Sequence, residues 1–176
     1  MSDAKKSSKD ECIQVVVRCR PMNKKETEER RGNIIDIDLG LRQVNILNPE
    51  VPDEPPKPFT FDATYDDKTQ QRVFYEESCF NMVESCLEGF NATIFAYGQT
   101  GCGKSWTMQG PNTTDVELKG VIPNSFTHIF QSVAANNEVG YLVRCAYIEL
   151  YNEEIKDLLA KDQKNAKCDL KEDPAK

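Results

Sequence analysis

The residues with the clearest chemistry are Gly98, Gln99, Thr100, Gly101, Cys102, Gly103, Lys104 and Ser105, which follow one another without a break. Glycines at 98, 101 and 103 let the backbone curl so that successive N–H groups face one anion, as a polyphosphate requires. Lys104 then adds a cation near β- and γ-phosphates, and the Ser105 hydroxyl is an oxygen ligand of the kind magnesium takes. The spacing is that of a phosphate-binding loop. The plain alternative is a glycine turn with Lys104 merely solvated. Context separates the two: residues 92–97, ATIFAY, read as a short buried strand, and Trp106, Thr107 and Met108 can open a helix. The implied ligand is a nucleoside triphosphate.

Such a loop needs strands and helices to aim it, and the rest of the chain supplies the patterns. Residues 13–19, IQVVVRC, are β-branched and read as a mostly buried strand of a parallel sheet, ended by Arg20 and Pro21. Residues 23–32 lack an apolar period and read as a solvated loop or helical turn. Segments 34–38 and 44–47 flank Gly40 and suggest a small hairpin. Five prolines within 48–58 make that stretch an extended surface loop, followed by a short edge strand at Phe59, Thr60 and Phe61.

Residues 69–89 carry the clearest helical period, with Cys79, Met82, Val83, Cys86, Leu87 and Phe90 on one face and Gly89 placed to end the helix. The helix opened at 104 can last only to Gly110 and Pro111, where a polar insertion begins at 112–120. A second helix follows with Ile122, Phe126, Ile129, Phe130 and Val133 on one face and Pro123 in its first turn. Residues 141–150 are the next long strand, 151–154 a turn, and 167–171 one more short strand. Strand, crossover helix and strand in this order predict an α/β domain.

Composition narrows the function. The chain has 176 residues, 39% of them apolar, enough for one domain with a sizeable core. Its net charge of −7 argues against a nucleic-acid or anionic-membrane partner. The seven cysteines (Cys12, Cys19, Cys79, Cys86, Cys102, Cys145 and Cys168) form no CxxC pair and have only His128 beside them, which suits a reducing cytosol better than a zinc site or disulfide framework. Residues 1–11 read as a flexible polar tail. No run approaches the ~18 apolar residues of a membrane span.

Together, residues 95–101 (FAYGQTG), 104–108 (KSWTM), 18–21 (RCRP) and 147–153 (YIELYNE) resemble the first half of a kinesin motor domain. Segments 120–126, 142–144 and 157–163 resemble the heterotrimeric class that drives ciliary and flagellar transport. The resemblance implies a P-loop NTPase-type kinesin fold, here its N-terminal half, with a central parallel or mixed sheet and helices on both faces. It implies an ATP or ADP pocket with Mg2+ at Ser105. Arg18, Arg20 and Pro21 would border the adenine on one side, and Trp106 would stack on the other, where an indole is a good platform for a purine. Core packing is the lesser alternative for Trp106, and Arg18 could equally be a surface cation at a strand end.

Cys102 departs from the residues many relatives carry in the loop. A thiol at a helix N-terminus favours oxidation or alkylation, from which bound nucleotide would shield it. The Ser-Ser-Arg-Ser-His and Asp-Leu-Ala-Gly elements of kinesins do not occur in the chain. Residues 12–176 therefore read as a partial motor domain that ends before switch I, switch II and the neck. The resemblance implies microtubules as the partner of the intact motor, engaged through later segments, and a dimer formed through a stalk. It implies a cytoplasmic, cytoskeletal place of work, with cilia or flagella as the finer reading. These residues alone would bind nucleotide without turnover, and with inner strands unpaired they would be marginally soluble. A truncated nucleotide-binding module and an unrelated phosphate-loop ATPase are the alternatives.

Overall fold

The structure is a computed structural model that describes residues 13–136, 138–162 and 166–171. The polar tail and Cys12 lie outside the described residues. The chain divides into two compact units, Met1–Ala135 and Asn136–Lys176.

In the first unit, β1 (Val16–Arg18) pairs in parallel with β5 (Ala63–Tyr65), with Val16 opposite Ala63 and Arg18 opposite Tyr65. The run at 13–19 is half-buried rather than mostly buried, since Ile13 and Val15 stand open to solvent. The parallel partner at 63–65 is too short for alternation to reveal. The expected hairpin forms: β2 (Ile35–Asp38) and β3 (Gln43–Ile46) pair antiparallel, and β4 (Lys57–Thr60) adds an outer strand. Pro58 is tolerated there because an edge strand can do without one N–H.

The helix expected over 69–89 is two helices, α2 (Gln71–Ser78) and α3 (Phe80–Leu87), separated at Cys79. Of the expected apolar face only Cys79 and Val83 are buried; Phe90 is 66% exposed. Gly89 does end the helix at φ 104°, donating to Cys86 O while Phe90 N donates to Ser85 O, which satisfies two terminal carbonyls. The core of the unit gathers Tyr65, Phe74, Tyr75, Cys79, Val83 and Val121, with Val16, Ile94, Met108 and Ile129 packed against it. Tyr65 and Phe74 meet edge to face at 4.9 Å.

Helix α5 (Val121–Ala135) covers this core with only part of the face its apolar period suggests, through Ile129. Val121 is buried and His128 largely so, whereas Phe126 and Phe130 are exposed. His128 fixes the rotation. Its Nδ1 meets the Tyr75 hydroxyl at 2.9 Å, its Nε2 meets Glu84 Oε1 at 2.5 Å, and its ring stacks on Phe80 at 4.3 Å.

Residues 92–97 correct the sequence reading most. They pair with no strand among the described residues, and Phe95 and Tyr97 are 83% and 88% exposed. Only Ile94 turns inward to the core. The described strands form three separate sheets, β1–β5, β2–β3–β4 and β6–β7–β8. A strand exists only with a ladder partner, and an apolar run does not name its partner.

The second unit holds the last of these sheets. Strand β6 (Ile148–Tyr151) pairs antiparallel with β7 (Glu154–Asp157), and β7 with β8 (Lys167–Cys168). Asn152 and Glu153 join the first pair at φ 47° and 64°, the two positive values of a tight hairpin turn. The long strand expected over 141–150 is confined to its last residues and the hairpin. The short strand expected over 167–171 is present in its first two residues.

Candidate functional site

Helix α4 (Lys104–Met108) starts at the phosphate-binding motif and is one turn long. Gly98, Gly101 and Gly103 precede it at φ 147°, 80° and 102°, a backbone that L side chains rarely adopt. A Cβ at Gly98 would lie 2.5 Å from Cys102 Sγ, so the thiol would have to turn aside to admit it. At Gly101 a Cβ would meet nothing within 4 Å, so there the positive φ alone favours glycine. Gly103 is the N-cap and leaves the first N–H groups of α4 without a side-chain cap. The loop thus has the curled backbone and uncapped donors that an anion requires.

Lys104 Nζ donates to the carbonyls of Gly98 and Gln99 at 2.7 and 2.9 Å, which holds the ammonium across the loop. Ser105 follows on the exposed side of the helix. Arg20 closes the other flank. Its Nε donates to Gly101 O at 2.8 Å, and its Nη1 and Nη2 donate to Glu26 Oε2 and Oε1 at 2.8 and 2.6 Å. That fork raises the Arg20 pKa and, with the Asn23 N–H, brings the Glu26 carboxyl down to about 2.

Glu26 is a residue the sequence reading missed. Its helix α1 (Lys24–Glu28) is held by a capping box, in which Asn23 Oδ1 accepts from Glu26 N and Glu26 Oε2 accepts from Asn23 N. The Asn-x-x-Glu spacing was the available signal.

Arg18, Cys19, Arg20, Gln99 and Cys102 line one cavity of about 690 Å3, within the ordinary range for small ligands. Pro21 is exposed next to Arg20, and Thr100 is exposed at the tip of the loop. Burial, and then nearby Asp67, push the Cys19 thiol up.

Arg18 is not the surface cation its place at a strand end allows. Its guanidinium points inward, donating from Nη1 to Gln71 Oε1 at 2.6 Å and to Thr107 Oγ1 at 3.2 Å, and from Nη2 to Thr69 O at 3.0 Å. It also lies 5.1 Å over the Phe74 ring. Burial lowers its pKa from the usual arginine value. Trp106 sits on α4 and is 47% exposed, so one part of the indole is open to a ligand.

Gln71, only 4% exposed, was also missed. It accepts from Arg18 and donates from Nε2 to Trp106 O at 2.6 Å and Leu118 O at 3.4 Å. It shares the buried face of α2 with Phe74 and Tyr75 at i, i+3 and i+4, but a polar residue there does not announce its partners.

The polar insertion returns tightly to the end of α4. Gly120 N donates to Gln109 O at 3.1 Å, and a Cβ at Gly120 would lie 2.6 Å from Met108 O. A single 3-10 turn, Val116–Leu118, is its only helical element. No group of three or more His, Cys, Asp or Glu side chains placed to hold a metal lies among the described residues, and no described helix is long and apolar enough to cross a membrane.

Comparison with known proteins agrees with the loop and its neighbours. The family described as the kinesin motor domain matches residues 18–176. Kinesin-like protein KIF3C of Pongo abelii and that of Mus musculus are each 46% identical over 172 residues, which is 97% of this chain and 21% of the relative. A solved structure of a fast kinesin is 36% identical, superposes with a TM-score of 0.82 and covers 93% of this chain and 44% of its own. The chain therefore spans about a fifth of the length of the curated relatives it matches.

Proposed function

This chain belongs to the kinesin motor-domain family, with the α/β fold of that family, and from this premise we propose that it is the nucleotide-binding part of a microtubule-dependent ATPase motor. The observation that carries the reading is the loop itself. Three glycines hold a positive-φ backbone directly before Lys104 and Ser105, and a Cβ at Gly98 would strike Cys102.

In this reading the N–H groups of 101–105 and the Lys104 ammonium bind the β- and γ-phosphates of ATP or ADP. Lys104 leaves its two loop carbonyls to do so, exchanging neutral acceptors for charged ones. The Ser105 hydroxyl would hold Mg2+, which neutralises phosphate charge when bound. Arg20 keeps the loop against the end of β1 through Gly101 O. Pro21 and Trp106 would flank the base. Arg18 borders that space as the anchor of its inner wall, because its donors are already committed.

The fast kinesin of known structure is described through its ATPase mechanism and its interactions with microtubules. We extend both to the protein that carries residues 12–176 as a partial motor domain behind a polar tail at 1–11. Microtubule contact, dimerisation through a stalk, a cytoskeletal location and work in cilia or flagella belong to this proposal; the last rests on segments 120–126, 142–144 and 157–163.

The test has two parts. Equilibrium binding of a fluorescent ADP to the chain, repeated with Lys104→Ala, is expected to show magnesium-dependent binding that weakens at least tenfold in the variant. Microtubule-stimulated ATP hydrolysis is expected of a longer protein that includes these residues. Absence of nucleotide binding would remove the reading, and turnover indifferent to microtubules would leave a phosphate-loop ATPase of another kind.

A further inference from the structure

The Gln71 side chain is buried, its polar contacts are all accounted for, and none of them serves its own helix. Arginine can only donate and a backbone carbonyl can only accept, so the amide is fixed with Oε1 toward Arg18 Nη1 and Nε2 toward Trp106 O and Leu118 O. Three separate parts of the site meet on one side chain: the end of β1, the helix that begins at the phosphate loop, and the end of the polar insertion.

Helix α4 needs such support. It is one turn long, too short to be stable by itself, and its last carbonyls have no partners within the helix. Ser105 O is satisfied by Gln109 N and Gly110 N, at 2.8 and 3.2 Å. Trp106 O is instead satisfied from outside, by Gln71 at 2.6 Å, and this carbonyl belongs to a residue that is 47% exposed and so can meet a ligand.

We infer that Gln71 is the positioning residue of the base subsite: by holding the Trp106 carbonyl and Arg18 together, it sets the indole as a platform for a purine. The inference rests on the nucleotide-binding reading and deepens it. Gln71 touches no ligand itself. The phosphate cradle, in contrast, is shaped by Gly98, Gly101, Gly103 and the Lys104 contacts, in which Gln71 has no part.

The two halves of the site are therefore separable by ligand. Trp106 is the single tryptophan of the chain, so its emission reports on the platform directly. The experiment titrates the chain with MgADP and with magnesium tripolyphosphate, which has no base, following Trp106 emission and tripolyphosphate heat. Gln71→Leu and Gln71→Glu are compared with the parent, and each variant's melting is recorded. The carboxylate of Gln71→Glu keeps an acceptor for Arg18 but loses both donors, so it retains the strand link while releasing Trp106.

In both variants ADP is expected to bind about tenfold more weakly, the scale of one buried hydrogen bond. Tripolyphosphate affinity is expected to stay within about twofold, and Trp106 emission to shift to the red. Equal losses for ADP and tripolyphosphate would mean a structural role only and would overturn the inference. So would an unchanged ADP affinity, or an unshifted emission in a folded Gln71→Glu protein. A parent chain that binds neither ligand would overturn the nucleotide-binding reading itself, and the positioning role with it.

Discussion

The two flanks of the phosphate-loop helix are built by opposite means. On the base side, Arg18, Gln71, Thr69 and Thr107 form a network of side chains packed on Phe74, on ordinary backbone. On the phosphate side, Gly98, Gly101 and Gly103 form a backbone that side chains would spoil. The first is specified by which groups are present, and the second by which atoms are absent. Mutations that delete polar atoms should therefore act on one flank, and mutations that add a Cβ on the other.

The largest effect is expected where added atoms meet backbone rather than solvent. Gly110 lies at φ 75° just after α4, and a Cβ there would run into the Leu118 carbonyl and come within 2.7 Å of Gly120 N. Gly110→Ala is expected to destabilise the first unit by about 3 kcal/mol or more, as strain and clash combine. Urea denaturation measures this, and a loss below ~1 kcal/mol would show that the insertion can move away.

Next comes the base side. Arg18→Met keeps the packing on Phe74 but strands the Gln71 oxygen and the Thr69 carbonyl, and is expected to cost about 2 kcal/mol. The same denaturation assay checks it. Gly101→Ala should sharpen the contrast: with open space around the new Cβ, φ 80° alone is expected to cost about 1 kcal/mol. Its larger consequence is expected in tripolyphosphate binding, which should weaken at least tenfold, measured by calorimetry.

A smaller effect comes from pH. The Glu26 carboxyl is held at about 2, below its usual 4.5, by Arg20 first and the Asn23 N–H second. A depressed acid contributes fully above its unfolded value and loses that contribution as pH falls through its folded value. The link of Arg20 to α1 is therefore complete above about pH 4.5 and lost on the way to pH 2. Thermal melts across that window should fall less steeply in Glu26→Gln than in the parent.

The smallest expected difference is kinetic. Cys79 is 2% exposed and burial pushes its thiol up to about 11, so it should be the last described cysteine to react with iodoacetamide, after the exposed Cys86, Cys145 and Cys168. Mass spectrometry of timed samples reads this order. Half-buried Cys102, lying against Gly98 in the loop, is expected to react more slowly when nucleotide is bound.

The phosphate side was legible in the sequence because its determinants are local. Glycine takes positive φ without the Cβ penalty of other residues, so Gly98, Gly101 and Gly103 could be read as a curl before any fold was known. The stop at Gly89 was legible for the same reason. The base side was not. Gln71 lies 53 residues from Arg18 and 35 from Trp106, and no period or spacing links them. The apolar period of α5 pointed to Ile129, which does meet the core, but also to Phe126 and Phe130, which stay exposed while His128 turns inward to Tyr75, Glu84 and Phe80.

By itself the sequence determined the residue types of the phosphate cradle, the helices that border it and the family to which the chain belongs. These follow from backbone preferences and short motifs that act within a few residues. Only the tertiary structure decided that Arg18 turns inward, that Gln71 holds Trp106, and that residues 92–97 pack by Ile94 alone while Phe95 and Tyr97 face outward. Those outcomes depend on which distant groups can satisfy a buried donor, acceptor or ladder. A polar side chain or an apolar run states its need in the sequence, but the fold chooses the partner.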